Sequence, residues 1–251
     1  LKGETDISMI TATFAQIDTA IWAYVAPKNR DAIRLAVANA AEALLDGAKP
    51  GSDAQLQYAR AFTNNAITPA HYERVKAMLN GSVDGLVMDT DLRWYLFLCG
   101  VKRGIFGVSD IQAEADRDKT AHGKQYVAYA HAALPTREAK VAAFKSITTD
   151  DLSNTTHSYK CRGFNENIHW ELLEPFVDEY FDAILKVWAT KGFEIAETTA
   201  TLTFPTWAIS EETVKKSQHW LDVTGKDASH ALRRTVAEGR DAMTRALKAR
   251  A

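Results

Sequence analysis

The chain has 251 residues, 46% of them hydrophobic and 25% charged, proportions that exclude a disordered tail, a collagen-like repeat or a disulfide-dense miniature and leave a folded globular protein. A formal net charge of −2 gives no global attraction for a polyanion, so nucleic acid is not expected as a partner. The longest apolar run falls well short of the roughly 20 residues that span a bilayer, so no membrane association is expected either.

In chain order, apolar residues recur at spacings of three and four, and period-two alternation of β-branched residues is nearly absent, which predicts an all-α protein. The first helix is predicted from Met9, Phe14, Ile17, Ile21, Trp22 and Val25. Ser52 with Gln55, and Ser109 with Gln112, have capping-box spacing, and Thr68-Pro69 and Pro135-Thr136 mark two more helix starts. Cys99 follows the apolar run Trp94-Tyr95-Leu96-Phe97-Leu98 and reads as a buried thiol; with Cys161 far away in sequence, both are expected to be reduced, as in a cytoplasmic protein. The acidic groups Asp89-Thr90-Asp91 and Thr149-Asp150-Asp151 are read as caps at helix starts. A wide apolar stripe over Leu172, Leu173, Phe176, Val177, Tyr180, Phe181, Ile184, Leu185 and Trp188 predicts a long helix beginning near Pro175. The last helix carries Leu232, Val236, Met243 and Leu247 on its apolar face, and Arg233, Arg234, Arg240, Arg245, Lys248 and Arg250 as a basic set, read as a solvated face or a surface toward another domain. In all, about a dozen short amphipathic helices without coiled-coil heptads suggest a HEAT/armadillo-like solenoid of stacked antiparallel helix pairs, with an irregular helical array as the alternative.

A search for catalytic chemistry finds one near miss, Asn165-Glu166-Asn167-Ile168-His169. A zincin requires HExxH, because two imidazoles one helical turn apart hold the metal while the glutamate activates water, and here an amide occupies the first ligand position. The remaining histidines, His71, His122, His131, His157, His219 and His230, are isolated and read as surface or satisfied core residues. No GxSxG elbow, GxGxxG turn or Walker loop is present. No catalytic residue, metal ligand or cofactor site is assigned to this chain.

The segment Asp89-Thr90-Asp91-Leu92-Arg93-Trp94 resembles a block in the C-terminal helical domain of the actinobacterial-type aminopeptidase N family, zinc metalloaminopeptidases of the M1 class. The resemblance continues in the same order through Ala115-Asp116-Arg117-Asp118-Lys119-Thr120, Leu134-Pro135-Thr136, Glu171-Leu172-Leu173-Glu174-Pro175-Phe176 and Leu232-Arg233-Arg234. It implies that residues 1–251 are a single noncatalytic C-terminal domain, which closes over an upstream catalytic domain and limits the access of peptide substrates. The zinc and the residues that bind it belong to that upstream domain; the position of the family's glutamate ligand, counted from His169, is Trp188. A looser similarity to eukaryotic antigen-trimming members points to Lys160 and Arg162, expected in the connection before the long helix, as a contact for a peptide's C-terminal carboxylate. Asp91, Arg93 and Trp94 are read as a structural motif. The alternative function is a free-standing helical-repeat scaffold for protein partners.

Overall fold

The computed structural model describes Leu1 and residues 3–250. Among the described residues there are thirteen α-helices and no strand: α1 Ile7–Thr19, α2 Pro27–Asp46, α3 Asp53–Asn65, α4 Pro69–Leu79, α5 Thr90–Val101, α6 Val108–Arg117, α7 Ala121–Ala133, α8 Arg137–Thr149, α9 Asn154–Phe164, α10 Phe176–Thr190, α11 Phe193–Leu202, α12 Glu211–His219 and α13 His230–Arg250. π-Helical turns extend α1 over Ala20–Tyr24 and α12 over Trp220–Thr224. The chain forms two compact units, Leu1–Gly100 and the region from Val101 onward.

In the first unit, α3 packs on both α1 and α2. Ile10, Leu45, Phe62, Met78, Leu92 and Leu96 are core side chains there. The first helix buries Ile10 and Ile21, whereas Met9 is 55% exposed. Ile7 and Phe14 pack against the same core as Ile10, whereas Met9, one residue before Ile10, lies about 100° away around the helix. Arg30 and Arg34 are buried, and each guanidinium lies 5.5 Å from the Trp22 ring centroid. Buried Gln55 stitches the turn before α3: its amide accepts from Gly51 N at 2.9 Å and donates to Asp84 O at 2.8 Å. Ser52 caps α3 through Gln55 N (3.2 Å), while the Gln55 side chain closes on Gly51 and not on Ser52. At Gly85 a positive φ of 72° meets a close approach, since an added Cβ would lie 2.5 Å from Gly51 N.

The structural motif sits on α5. Asp89 accepts from Leu92 N at 2.7 Å and so caps the helix, Asp91 is exposed in the first turn, Arg93 donates to Leu79 O at 3.0 Å, and Trp94 is fully buried.

In the second unit, α7 packs on α9, α9 on α11 and α11 on α13, while α8 packs on α10; sequential neighbours such as α6 and α7, α8 and α9, and α12 and α13 are also in contact. Contacts between every second helix, added to contacts between neighbours, are the layering of stacked helix pairs, consistent with the expected solenoid. Phe144, Phe164, Phe176, Tyr180, Phe204 and Trp220 are buried in its core.

Helix starts at Thr68 and Thr136 are as expected, with the hydroxyls accepting from His71 N and Ala139 N at 3.2 Å each, and the long helix begins at Phe176, after Pro175. Two expected starts are corrected. Helix α6 begins at Val108, with Gly107 as its cap and Asp110 accepting from Gly107 N, so Ser109 and Gln112 lie inside it. Asp150 ends α8, where its carboxylate receives the Ser146 hydroxyl at 2.5 Å; the next helix is capped by Ser153.

Candidate functional site

Helix α9 is built from Asn154-Thr155-Thr156-His157-Ser158-Tyr159-Lys160-Cys161-Arg162-Gly163-Phe164. Its hydroxyl-rich opening favours turns locally, and the expectation that Lys160 and Arg162 occupy a connection is corrected: both lie on this helix. Burial decides the outcome. His157, Cys161 and Phe164, at i, i+4 and i+7, are each fully buried, and Ser153 accepts from Thr156 N at the start. Gly163 lets α9 approach α7, since a Cβ there would lie 2.3 Å from Tyr129 O.

Two residues apart on a helix means roughly 200° around it, so Lys160 and Arg162 are not brought together. Lys160 is half-buried and turned toward α8, where Nζ donates to Ser146 Oγ at 2.6 Å. Arg162 is exposed and makes no hydrogen bond or ion pair among the described residues. One turn earlier on the same face, Tyr159 receives or donates a hydrogen bond with His122 Nε2 at 2.8 Å across to α7. His122 also stacks on Tyr126 with centroids 4.5 Å apart, and Tyr126 meets Tyr159 edge to face at 5.5 Å. The α7–α9 surface therefore presents a free guanidinium beside an aromatic group. A planar guanidinium with its donors uncommitted suits a carboxylate, and aromatic faces suit an apolar side chain next to it.

Beneath that surface the polar groups are committed to holding helices. Lys140, 2% exposed on α8, donates to Ala132 O (2.8 Å), Gly163 O (3.1 Å) and Phe164 O (3.0 Å), clamping the C-terminal ends of α7 and α9. Burial pushes its pKa down to about 8, opposed by Glu166. The buried ring of His157 lies between Ile147 O (3.2 Å) and Thr199 Oγ1 (3.1 Å), with Cys161 Sγ 3.7 Å from Nδ1. Burial holds this imidazole below its ordinary range and pushes the Cys161 thiol up to about 12, so the adjacent Cys and His are a neutral, closed contact and not a nucleophile with its base. Sequence reasoning missed Lys140; the available signal was a lysine at the apolar positions of α8, in line with Ala143, Phe144 and Ile147.

The zincin-like segment has other uses. Asn165 accepts from Trp207 Nε1 at 2.7 Å, and Glu166 pairs with Lys102 at 3.2 Å and receives the Tyr129 hydroxyl. Burial alone would raise the Glu166 pKa, but the Lys102 charge and these hydrogen bonds bring it below the usual value. Among the described residues no three His, Cys, Asp or Glu side chains are placed to hold a metal ion, and no helix is long and apolar enough to cross a membrane. Both cysteines are buried and neither is in a disulfide.

On the basic face of α13, Arg233 donates to Leu221 O (2.6 Å) and Gly225 O (2.8 Å), and Arg234 pairs with Glu238 and Arg240 with Asp241, each at 2.7 Å. Arg233, Arg234 and Arg240 of the expected basic set are thus engaged within the second unit.

The ERAP1-like C-terminal domain family matches residues 1–245. The chain is also 38% identical to an aminopeptidase N of Streptomyces lividans over 251 residues, 99% of this chain. It spans 29% of the length of that relative.

Proposed function

Because the chain belongs to the ERAP1-like C-terminal domain family, we propose that it serves as the noncatalytic C-terminal domain of a zinc-dependent, cytoplasmic aminopeptidase N that removes N-terminal residues from peptides. The observation that carries this reading is the match along nearly the whole chain to under a third of an aminopeptidase N. The residues present do not fit a catalytic zinc: Asn165 and Glu166 are occupied in core hydrogen bonds and an ion pair. The metal and the water it activates belong upstream, where zinc supplies the Lewis acid.

In this reading the helical domain closes over the catalytic domain and limits access to short peptides, which spares folded proteins from trimming. Arg162 faces the enclosed space and takes the carboxylate at the far end of a longer peptide. Lys160 has no part in that contact, because its ammonium is held by Ser146.

Two measurements test the proposal. Aminopeptidase activity and zinc content are compared between residues 1–251 and the full-length protein; both are expected only in the latter, and activity in the short chain, or none in either, refutes the assignment. In the full-length enzyme, Arg162→Ala is expected to raise KM for longer peptides more than for single aminoacyl reporters. An equal effect on both removes Arg162 from substrate binding.

A further inference from the structure

Helix α2 buries Ala38, Ala41 and Leu45 in the core of the first unit and is also apolar on a second side. Arg30 and Arg34 are buried, and Glu42 and Asp46 both reach Arg74 on α4. The stripe on that second side is Ile33, Ala36, Val37, Ala40 and Ala43, exposed or half-exposed along its length, with Ile33 at 37%, and it ends at Leu44, which also packs against the core. A surface helix ordinarily carries polar residues on the side away from the core, and a continuous exposed apolar stripe there marks a surface covered by a macromolecule.

The C-terminal half of the stripe forms one wall of a groove of ≈ 1270 Å³ in the first unit. Ile7, Thr13 and Ile17 of α1 form the opposite wall, and Tyr58 of α3 also lines it. Its charged side chains, Glu4, Lys49 and Asp53, come from the segment before α1, the α2–α3 turn and the first residue of α3, so the walls contributed by α1 and α2 carry no charge. The volume exceeds the 300–1,000 Å³ common for small-molecule sites, and walls without converging polar groups fit a polypeptide better than a metabolite.

We propose that this groove and the α2 stripe receive the polypeptide immediately upstream of this domain in the full-length protein. Leu1, Gly3, Glu4 and Thr5 themselves line the groove, so chain joined ahead of Leu1 starts out at its edge. The matched region is 29% of the Streptomyces lividans relative, and the family is a C-terminal domain, which places the bulk of such a protein upstream. The inference rests on that family reading but not on Arg162 or on zinc.

The test uses the accessibility of a cysteine introduced by Ala43→Cys, read with a maleimide probe, in residues 1–251 and in the full-length protein. Ala43 is exposed and both native cysteines are buried, so the variant reports on the groove against a low background. Glu73→Cys, on the exposed side of α4, is the control. Labelling at position 43 is expected to be fast in the short chain and slower by about tenfold or more in the full-length protein, where it waits on opening of the interface, with equal labelling at 73. Equal rates at 43 in both overturn the proposal. Protection in the short chain itself, with a dimer by light scattering, overturns it in favour of a second copy as the occupant. Zinc and activity are assayed on the same full-length sample: protection without either keeps the docking surface and refutes the aminopeptidase reading, and activity without protection does the opposite.

Discussion

Replacing Lys140 by methionine tests what holds the α7–α9 surface together. The ammonium donates to three backbone oxygens at 2.8–3.1 Å, at the carbonyl ends of two helices, where the last turn leaves acceptors without intrahelical partners and the macrodipole favours a cation. Three acceptors require three donors, which the ammonium has and the neutral amine lacks. Methionine keeps the approximate volume but orphans the carbonyls, at about 1–3 kcal/mol for each one that water cannot reach. Against this stands relief of the ammonium's desolvation, several kcal/mol on its own, so the net loss is about 2–4 kcal/mol. Urea denaturation at pH 7 is expected to show a lower midpoint at unchanged slope, and a midpoint equal to or above the parent's refutes the clamp. The pH dependence gives a second readout. The folded pKa is lowered to about 8 from 10.5, so between these values the unfolded chain holds a proton that the folded chain has released. Stability then rises with pH, and the parent gains on Lys140→Met across that window. A flat difference would mean that the carbonyls retain the proton against the pull of burial.

Three further outcomes are expected. Gly163→Ala drives a methyl group into Tyr129 O and costs about 1–3 kcal/mol through forced separation of α7 and α9, read as a lower urea midpoint; an unchanged midpoint means that the helices part freely. His157 is held neutral chiefly by burial, so as pH falls below 6.5 the unfolded chain takes up a proton that the folded chain refuses, and stability drops; His157→Phe should flatten this acid limb in pH-resolved melts, and an identical limb assigns it to other groups. Within Asp89-Thr90-Asp91, Asp89→Ala should cost about 1 kcal/mol as a lost cap, read as a lower urea midpoint, and an unchanged midpoint refutes the cap.

The sequence by itself determined the helical class and many helix starts, because a cap is a bargain struck within four residues: Thr68 with His71, Thr136 with Ala139 and Ser52 with Gln55 need no distant partner. It also carried the family through ordered blocks such as Asp89–Trp94. Where local signals were ambiguous, tertiary structure decided. At Gly107 the cap carries no side chain to announce it, and its orphan amide is met by Asp110 from inside the helix. The Thr- and Ser-rich start of α9 reads as a turn until His157, Cys161 and Phe164 find their burial. That burial sets the helix phase, and the phase sends Lys160 to Ser146 and leaves Arg162 on the surface. Lys140 and the outward apolar stripe of α2 are likewise decided by residues far away in the chain: whether a charge is buried or an apolar face is left open depends on which helices pack against it, and no spacing along the sequence encodes that.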